Sequence, residues 1–187
     1  MKTVLRILAG LMGVVVIFLG IKQIVSGARQ MTGKSVTQSQ KPGETYTPAE
    51  GGYAHRIPEG WKAQSEAQQP SRMFVAPGNA GNMITGSQDF PGSLREYADA
   101  NIREIQLSSS NVKILSDSEF LTAANATAFR IKFENKVKEM DIVQTMYVFE
   151  GQHGKRIIVT CTTTAKQAPE FEKLFDECMK TLTVAQP

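Results

Sequence analysis

The sequence has few cysteines and histidines and no acidic residue near its N-terminus. Its 187 residues include two cysteines, Cys161 and Cys178, and two histidines, His55 and His153. Two cysteines are too few for a disulfide-rich scaffold, and without a second cysteine pair they do not make a zinc site. No internal repeat of about 20 to 50 residues is visible, which excludes solenoids and propellers.

Acidic residues are absent from residues 1–34, although this segment holds five bases. Residues 35–187 then carry 16 Lys or Arg against 18 Asp or Glu, so their net charge is −2 while the whole chain has +3. A nucleic-acid-binding domain needs a basic surface that neutralises phosphates. The position of the positive charge therefore predicts no nucleic-acid partner.

The N-terminus contains a long apolar segment. Residues 7–21 are all apolar or glycine, and residues 4–25 would form about 33 Å of helix, enough to cross a membrane if Arg6 and Lys22 reach the two interfaces. We predict a transmembrane anchor in residues 1–27. The alternative is a signal peptide cleaved before Arg29. No cysteine follows the apolar run, so a lipoprotein anchor is excluded, and we expect a single-pass protein whose soluble part lies outside the cytoplasm.

Residues 28–51 are rich in Ser, Thr, Gln, Gly and Pro, which predicts a flexible polar linker. Within this stretch, residues 28–35 fit a relaxed phosphate-loop pattern. A working phosphate loop lies between a buried strand and a helix, so that backbone N–H groups converge on the phosphate. A membrane segment precedes this one and Lys41-Pro42 follows it, so no nucleotide site is expected.

Residues 52–187 are predicted to form one domain, because about 136 residues can bury a single core. Ser93 and Glu96 form a capping box that predicts the start of a first helix. Alternating apolar residues then predict three antiparallel strands between residues 127 and 164, and Pro169 opens a second helix whose apolar stripe is Phe171, Leu174, Phe175, Cys178, Met179 and Leu182. This order predicts an α+β fold in which helices cover a mainly antiparallel sheet.

The ionisable residues show no catalytic pattern. His55 is predicted in a strand beside Arg56, and His153 in a glycine-flanked turn, so neither lies near a recognisable nucleophile. The carboxylates alternate with lysines around residues 132–141, which is typical of a solvated turn, and no set of residues has metal-ligand spacing. We therefore predict a protein that is not an enzyme and binds no cofactor or metal.

The two cysteines are predicted to face each other. Cys161 shares a strand face with Ile157 and Val159, and Cys178 lies on the buried stripe of the last helix. Outside the cytoplasm, a Cys161–Cys178 disulfide would clamp this helix to the strand and contribute roughly 3 kcal/mol of stability. Two buried thiols that act as small core residues are the alternative.

Several segments between residues 52 and 184 resemble, in the same order, the PsbP-like and DcrB-like domains. They are the strand from Tyr53 that leads to Pro58-Glu59-Gly60-Trp61, Ser93-Leu94-Arg95-Glu96-Tyr97-Ala98 at the first helix, the strand that ends at Phe149, the strand from Lys155 to Thr164, and Pro169-Glu170-Phe171-Glu172. The resemblance implies an α/β/α sandwich used for accessory and interaction work. The family has no shared catalytic residues, so function cannot be transferred from it.

These observations lead to two functional hypotheses. The first is a non-enzymatic, membrane-tethered extracytoplasmic domain that binds another envelope protein or assembly, because a flexible tether raises its concentration near membrane-bound partners. The second is a carrier module for a small ligand or lipid. Its pocket would be lined by adaptable methionine side chains, namely Met73, Met83, Met140, Met146 and Met179.

Overall fold

A computed structural model describes residues 41–49, 52–64 and 71–185. Within these residues it contains two α-helices, α1 (Leu94–Ser108) and α2 (Ala168–Lys180). The strands are β1 (Pro42–Tyr46), β2 (Tyr53–Pro58), β3 (Lys62–Gln64), β4 (Arg72–Val75), β5 (Gly81–Asp89), β6 (Val112–Leu121), β7 (Thr127–Val137), β8 (Met140–Glu150), β9 (Lys155–Thr164) and β10 (Thr183–Val184).

The predicted anchor, residues 1–27, lies outside the described residues, as does the segment with the relaxed phosphate-loop pattern, residues 28–35. Among the residues that are described, neither helix has the length and apolar character needed to cross a bilayer.

Seven strands form one antiparallel sheet in the order β3-β4-β5-β9-β8-β7-β6, and β1, β2 and β10 form a smaller sheet in the order β1-β2-β10. Strands β7, β8 and β9 are consecutive neighbours, which confirms the predicted antiparallel meander between residues 127 and 164. The two helices and the antiparallel sheet confirm the α+β class.

The two helices lie on opposite faces of the seven-stranded sheet, and we name the faces after them. On the α1 face, Tyr97, Ala98 and Ile105 of the helix pack against strand residues, namely Phe129, Ile131, Phe133, Ile142, Met146, Val148 and Ile158. Alternate residues point to opposite faces of a strand. The α2 face therefore receives the intervening side chains, among them Ala128, Tyr147, Phe149, Ile157, Val159 and Cys161.

Helix α1 begins as its sequence predicts. The Ser93 hydroxyl oxygen accepts a hydrogen bond from the Glu96 backbone N–H at 3.2 Å, and the Ser93 N–H donates to Glu96 Oε2 at 2.8 Å. This reciprocal pair is a capping box, which satisfies backbone donors that the first helical turn leaves unpaired.

Helix α2 brings three aromatic rings together. Phe175 contacts Trp61 at 5.9 Å between ring centroids, with the rings perpendicular, and Phe171 lies 5.6 Å from Phe175. The sheet approaches Phe171 closely at Gly81, where a Cβ atom would lie 3.0 Å from Phe171 Cε1 and 3.1 Å from the Thr162 carbonyl oxygen. A larger residue at Gly81 would push the helix and sheet apart.

Strands β1, β3 and β10 are not predicted from the sequence. Strand β1 falls inside the stretch for which a linker is predicted, and its sequence, PGETY, has turn-like composition. It is ordered by pairing with β2, where Thr45 lies opposite Arg56 and Tyr46 opposite His55. The folded part of the chain therefore begins before residue 52.

Phe175→Ala is predicted to lower the free energy of unfolding by about 3–5 kcal/mol, because it removes a buried ring that packs against both Trp61 and Phe171. Urea unfolding of the full chain measures this change. The matched control is Leu107→Ala, at a helix position that is 81% exposed, where a change below about 0.5 kcal/mol is expected. Similar losses for both variants would show that the α2 face is not the core described here.

Candidate functional site

The two cysteines lie in the same apolar cluster, Cys161 on β9 and Cys178 on α2, and both are buried free thiols. Burial raises the pKa of Cys178 to about 12, and Glu177 adds to the shift. Burial also raises the pKa of Cys161 well above its usual value, and the charge of Cys178 contributes. Both shifts disfavour the thiolate, which is the nucleophilic form of cysteine. The Cys161–Cys178 disulfide remains a prediction.

Iodoacetamide at pH 8 is expected to leave both thiols of the reduced, folded chain unmodified, because only exposed thiolates react quickly. Unfolding in urea should expose two reactive thiols, which intact mass counts. The disulfide is tested by unfolding exported protein without reductant and treating it with iodoacetamide. Two alkylated cysteines would exclude the disulfide, and the absence of alkylation would support it.

The two histidines occupy opposite kinds of environment. His55 is 1% exposed on β2, where its Nδ1 lies 3.1 Å from the Arg56 carbonyl oxygen and its ring stacks on Tyr53. Burial lowers the pKa of His55 to about 4, so the imidazole is neutral at pH 7. His153 lies in the exposed turn between β8 and β9. The histidines are therefore not brought together, and the described residues contain no cluster of three His, Cys, Asp or Glu suited to a metal.

The buried His55 predicts a loss of stability in acid. Its folded-state pKa lies below the unfolded value of 6.5, so the unfolded chain binds the proton first as the pH falls. His55 should therefore reduce the free energy of unfolding by about 2 kcal/mol at pH 5 and about 3 kcal/mol at pH 4, relative to pH 8.

Urea unfolding between pH 8 and pH 4 measures this effect. His55→Gln should have a flatter pH profile than the unmodified chain, while His153→Gln should retain the original slope. Parallel profiles for all three proteins would contradict the assignment of a neutral, buried His55.

The five methionines of the carrier hypothesis are divided among three clusters and do not line one pocket. Met83 and Met179 belong to the α2-face core, while Met140 and Met146 pack with α1. Met73 lies in a separate small cluster with Val75 and Ile84. Their division between the two faces means that these side chains cannot surround one ligand.

A network of charged side chains fastens α2 to β7 and β8. Arg130 donates to Asp176 Oδ2 at 2.6 Å, the Tyr147 hydroxyl donates to Asp176 Oδ1 at 2.5 Å, and Lys132 donates to Glu172 Oε2 at 2.6 Å. Burial opposes the charge of Arg130, but its bond to Asp176 leaves the pKa of the guanidinium raised. The cations and carboxylates satisfy one another, so this network positions the helix on the sheet.

Strand β6 forms one edge of the large sheet, and no described strand pairs with its outer side. Its register shifts between Ile114 and Ser116, which marks a bulge at Leu115. Beyond the bulge the strand is regular over six residues, from Ser116 to Leu121. Leu121 is 58% exposed and Leu115 is 39% exposed. This segment is the candidate interaction surface, and we call it the β6 edge.

Charged residues flank the β6 edge on the α1 side. Arg95 Nη2 of α1 lies 2.7 Å from Asp117 Oδ2 and 2.5 Å from Asp99 Oδ1, and the guanidinium stands 5.0 Å above the ring of Phe129. Glu119, on the same side and two residues beyond Asp117, is exposed. This side of the edge therefore carries the carboxylates of Asp99, Asp117 and Glu119 against the one guanidinium of Arg95, which leaves it acidic.

Solved structures with similar folds match most of the chain. A protein of unknown function from Pseudomonas aeruginosa is 18% identical, with a TM-score of 0.55 over 77% of this chain and 97% of its own. Cyanobacterial PsbP from Synechocystis is 13% identical, with a TM-score of 0.57 over 83% of this chain and 99% of its own. The fold is PsbP-like.

A third structural neighbour is LpqN, described as involved in cell envelope biogenesis of Mycobacterium tuberculosis. It is 10% identical, with a TM-score of 0.53 over 78% of this chain and 87% of its own. No protein-family model matches the chain, and no curated protein does. At identities this low the PsbP-like similarity establishes the fold alone.

Sequence reasoning missed the network on α2 and the β6 edge. The network had a detectable pattern, because Arg130 and Lys132 are alternate residues of one strand and Glu172 and Asp176 are four apart in a helix. The edge position of β6 had none, because strand order is set by pairing between distant segments.

Proposed function

We propose that this chain is a non-enzymatic accessory domain of the PsbP/DcrB type, tethered to the membrane and displayed outside the cytoplasm, which acts by binding another envelope protein. The observation that carries the proposal is the PsbP-like fold itself, which the chain shares over most of its length with LpqN, a protein described as involved in envelope biogenesis. The same neighbours support an extracytoplasmic location.

The ionisable groups support a binding role over a catalytic one. Cys161 and Cys178 have raised pKa values, and His55 is neutral but almost fully buried. A catalytic nucleophile needs a base within reach and access to substrate. The more accessible charges, such as those of Arg130 and Asp176, are paired with each other and hold α2 in place.

The proposed tether supports a partner in or near the same membrane. An apolar segment at residues 7–21, followed by a polar linker, would confine the domain to a thin layer beside the bilayer. Such confinement raises the effective concentration for membrane-bound partners, so even a modest surface can give useful binding.

Crosslinking in native membranes followed by purification of the full chain tests this function. We expect a specific envelope protein to be recovered with it. Replacing residues 1–27 with a cleavable signal peptide should reduce recovery several-fold, because the effective concentration falls. A chain that stays monomeric and alone under gentle crosslinking would contradict the proposal. The location of the soluble domain is tested by fusing, after residue 187, a reporter that is active only outside the cytoplasm. We expect this fusion to be active.

The carrier function is a second candidate. It rests on three buried polar side chains of β8 and β9 that lie on the α1 face, namely Gln144, Thr160 and Thr162. Gln144 donates from Nε2 to Thr162 Oγ1 at 3.1 Å, while Gln144 Oε1 and Thr160 Oγ1 are buried without a hydrogen-bond partner among the described residues. Buried polar atoms without a partner can mark a place for a bound water or a small polar ligand. Native mass spectrometry of the purified chain tests it, since a carrier should retain extra mass that Gln144→Leu removes.

A further inference from the structure

Only one edge of the large sheet is long enough to bind another chain in the part of the protein that the structure describes. The opposite edge, β3, has three residues, whereas β6 has ten. An edge strand presents unpaired backbone donors and acceptors, which an added strand can satisfy. The bulge at Leu115 interrupts the ladder, so the available segment is the regular β6 edge from Ser116 to Leu121.

The side chains of the β6 edge differ between the two faces. Asp117 and Glu119 lie opposite Ile131 and Phe129, which belong to the α1 face. Ser116 and Ser118 lie opposite Lys132 and Arg130. The charges of these two bases are paired with carboxylates of α2, Lys132 with Glu172 and Arg130 with Asp176. The α1 side of the edge is therefore acidic, and the α2 side is small and electrically balanced.

This charge pattern disfavours a second copy of the chain as the occupant. Two β6 edges that pair in antiparallel fashion about Ser118 would set Asp117 opposite Glu119 twice, and pairing about Asp117 or Glu119 would set each acid opposite itself. Like charges directly opposite each other destabilise a strand pair. The acidic side chains instead complement a strand with basic side chains at alternate positions.

We propose that the β6 edge binds an extended segment of the partner protein by strand addition. The segment carries Lys or Arg on the side that faces α1, where Asp99, Asp117 and Glu119 outnumber Arg95. On the α2 side it carries larger apolar residues, because Ser116 and Ser118 are small and leave room above the sheet beside the buried Phe120. Leu121 lies on the α1 side, where it supplies an exposed apolar contact at the end of the edge. This inference rests on the proposed function and names the surface and the partner chemistry.

Site-specific photo-crosslinking of the full chain in its native membrane locates the surface. The crosslinking residue replaces Glu119 or Leu121 at the edge, and Leu107 or Glu139 at exposed control positions on α1 and the β7–β8 turn. We expect crosslinks from Glu119 and Leu121 to a partner segment with alternating basic residues, and few from the controls. Recovery of an unidentified protein does not suffice, because the crosslinked peptide must show this pattern.

A charge reversal tests the chemistry with a defined probe. A capped hexapeptide of alternating Lys and Val should bind the full chain, and a Glu/Val peptide of the same length should not. Glu119→Lys should weaken binding of the Lys/Val peptide about threefold to tenfold, whereas Glu139→Lys should leave its affinity unchanged. Binding should also weaken as salt is raised. Both variants change exposed residues, so equal unfolding midpoints confirm that folding is intact.

The outcomes separate this inference from the proposed function. Partner crosslinks from Leu107 or Glu139 alone would show that the partner binds elsewhere than the β6 edge. Crosslinks from Glu119 to a second copy of the chain would show that the edge binds another copy. Either result would overturn this inference and leave the proposed partner-binding function standing. Equal effects of Glu119→Lys and Glu139→Lys on the Lys/Val peptide would also overturn it. If no partner is recovered by general or site-specific crosslinking, the proposed function is wrong, and so is the inference that the β6 edge binds a partner segment.

Discussion

Both faces of the large sheet are apolar at its centre, and this single constraint determines most of the structure. Residues 142–149 of β8 are all buried, with Met146 and Val148 on the α1 face and Tyr147 and Phe149 on the α2 face. Each large apolar side chain gains about 1.5–3 kcal/mol when it is removed from water. Neither face can therefore remain in solvent, and each is packed against a helix. A shift of one residue in register would exchange the two sets of side chains, so pairing and burial specify each other.

Charged and polar groups follow from this layered arrangement. Helix α2 covers the sheet with Phe171, Phe175 and Cys178, and its acidic edge meets the basic residues of β7 where the apolar core ends. Such pairs contribute little when fully exposed. Here Arg130 and the Tyr147 hydroxyl both donate to the partly buried carboxylate of Asp176, and these two bonds orient the helix on the sheet. His55 shows the opposite solution, because burial keeps it uncharged.

Covering both faces of a sheet does not cover its edges. Strand β6 lies at the end of the strand order, where a bulge and acidic side chains disfavour pairing with a second β6 strand. The features that discourage self-association also define which strand could be accepted. An edge of this kind gives a tethered domain a directional, backbone-based contact without a pocket or a catalytic group, which fits the accessory role proposed for it.

The sequence by itself determined the local features. The capping box at Ser93, the apolar stripe of α2 and the meander of β7, β8 and β9 follow from short-range periodicity and capping chemistry, and the structure confirms them. Pairing between distant segments decided the rest. PGETY became a strand because β2 lies beside it, and the five methionines separated because alternate residues of a strand face opposite sides. The β6 edge exists because β7 pairs with its inner side and no described strand pairs with its outer side, a long-range outcome that no local pattern contains.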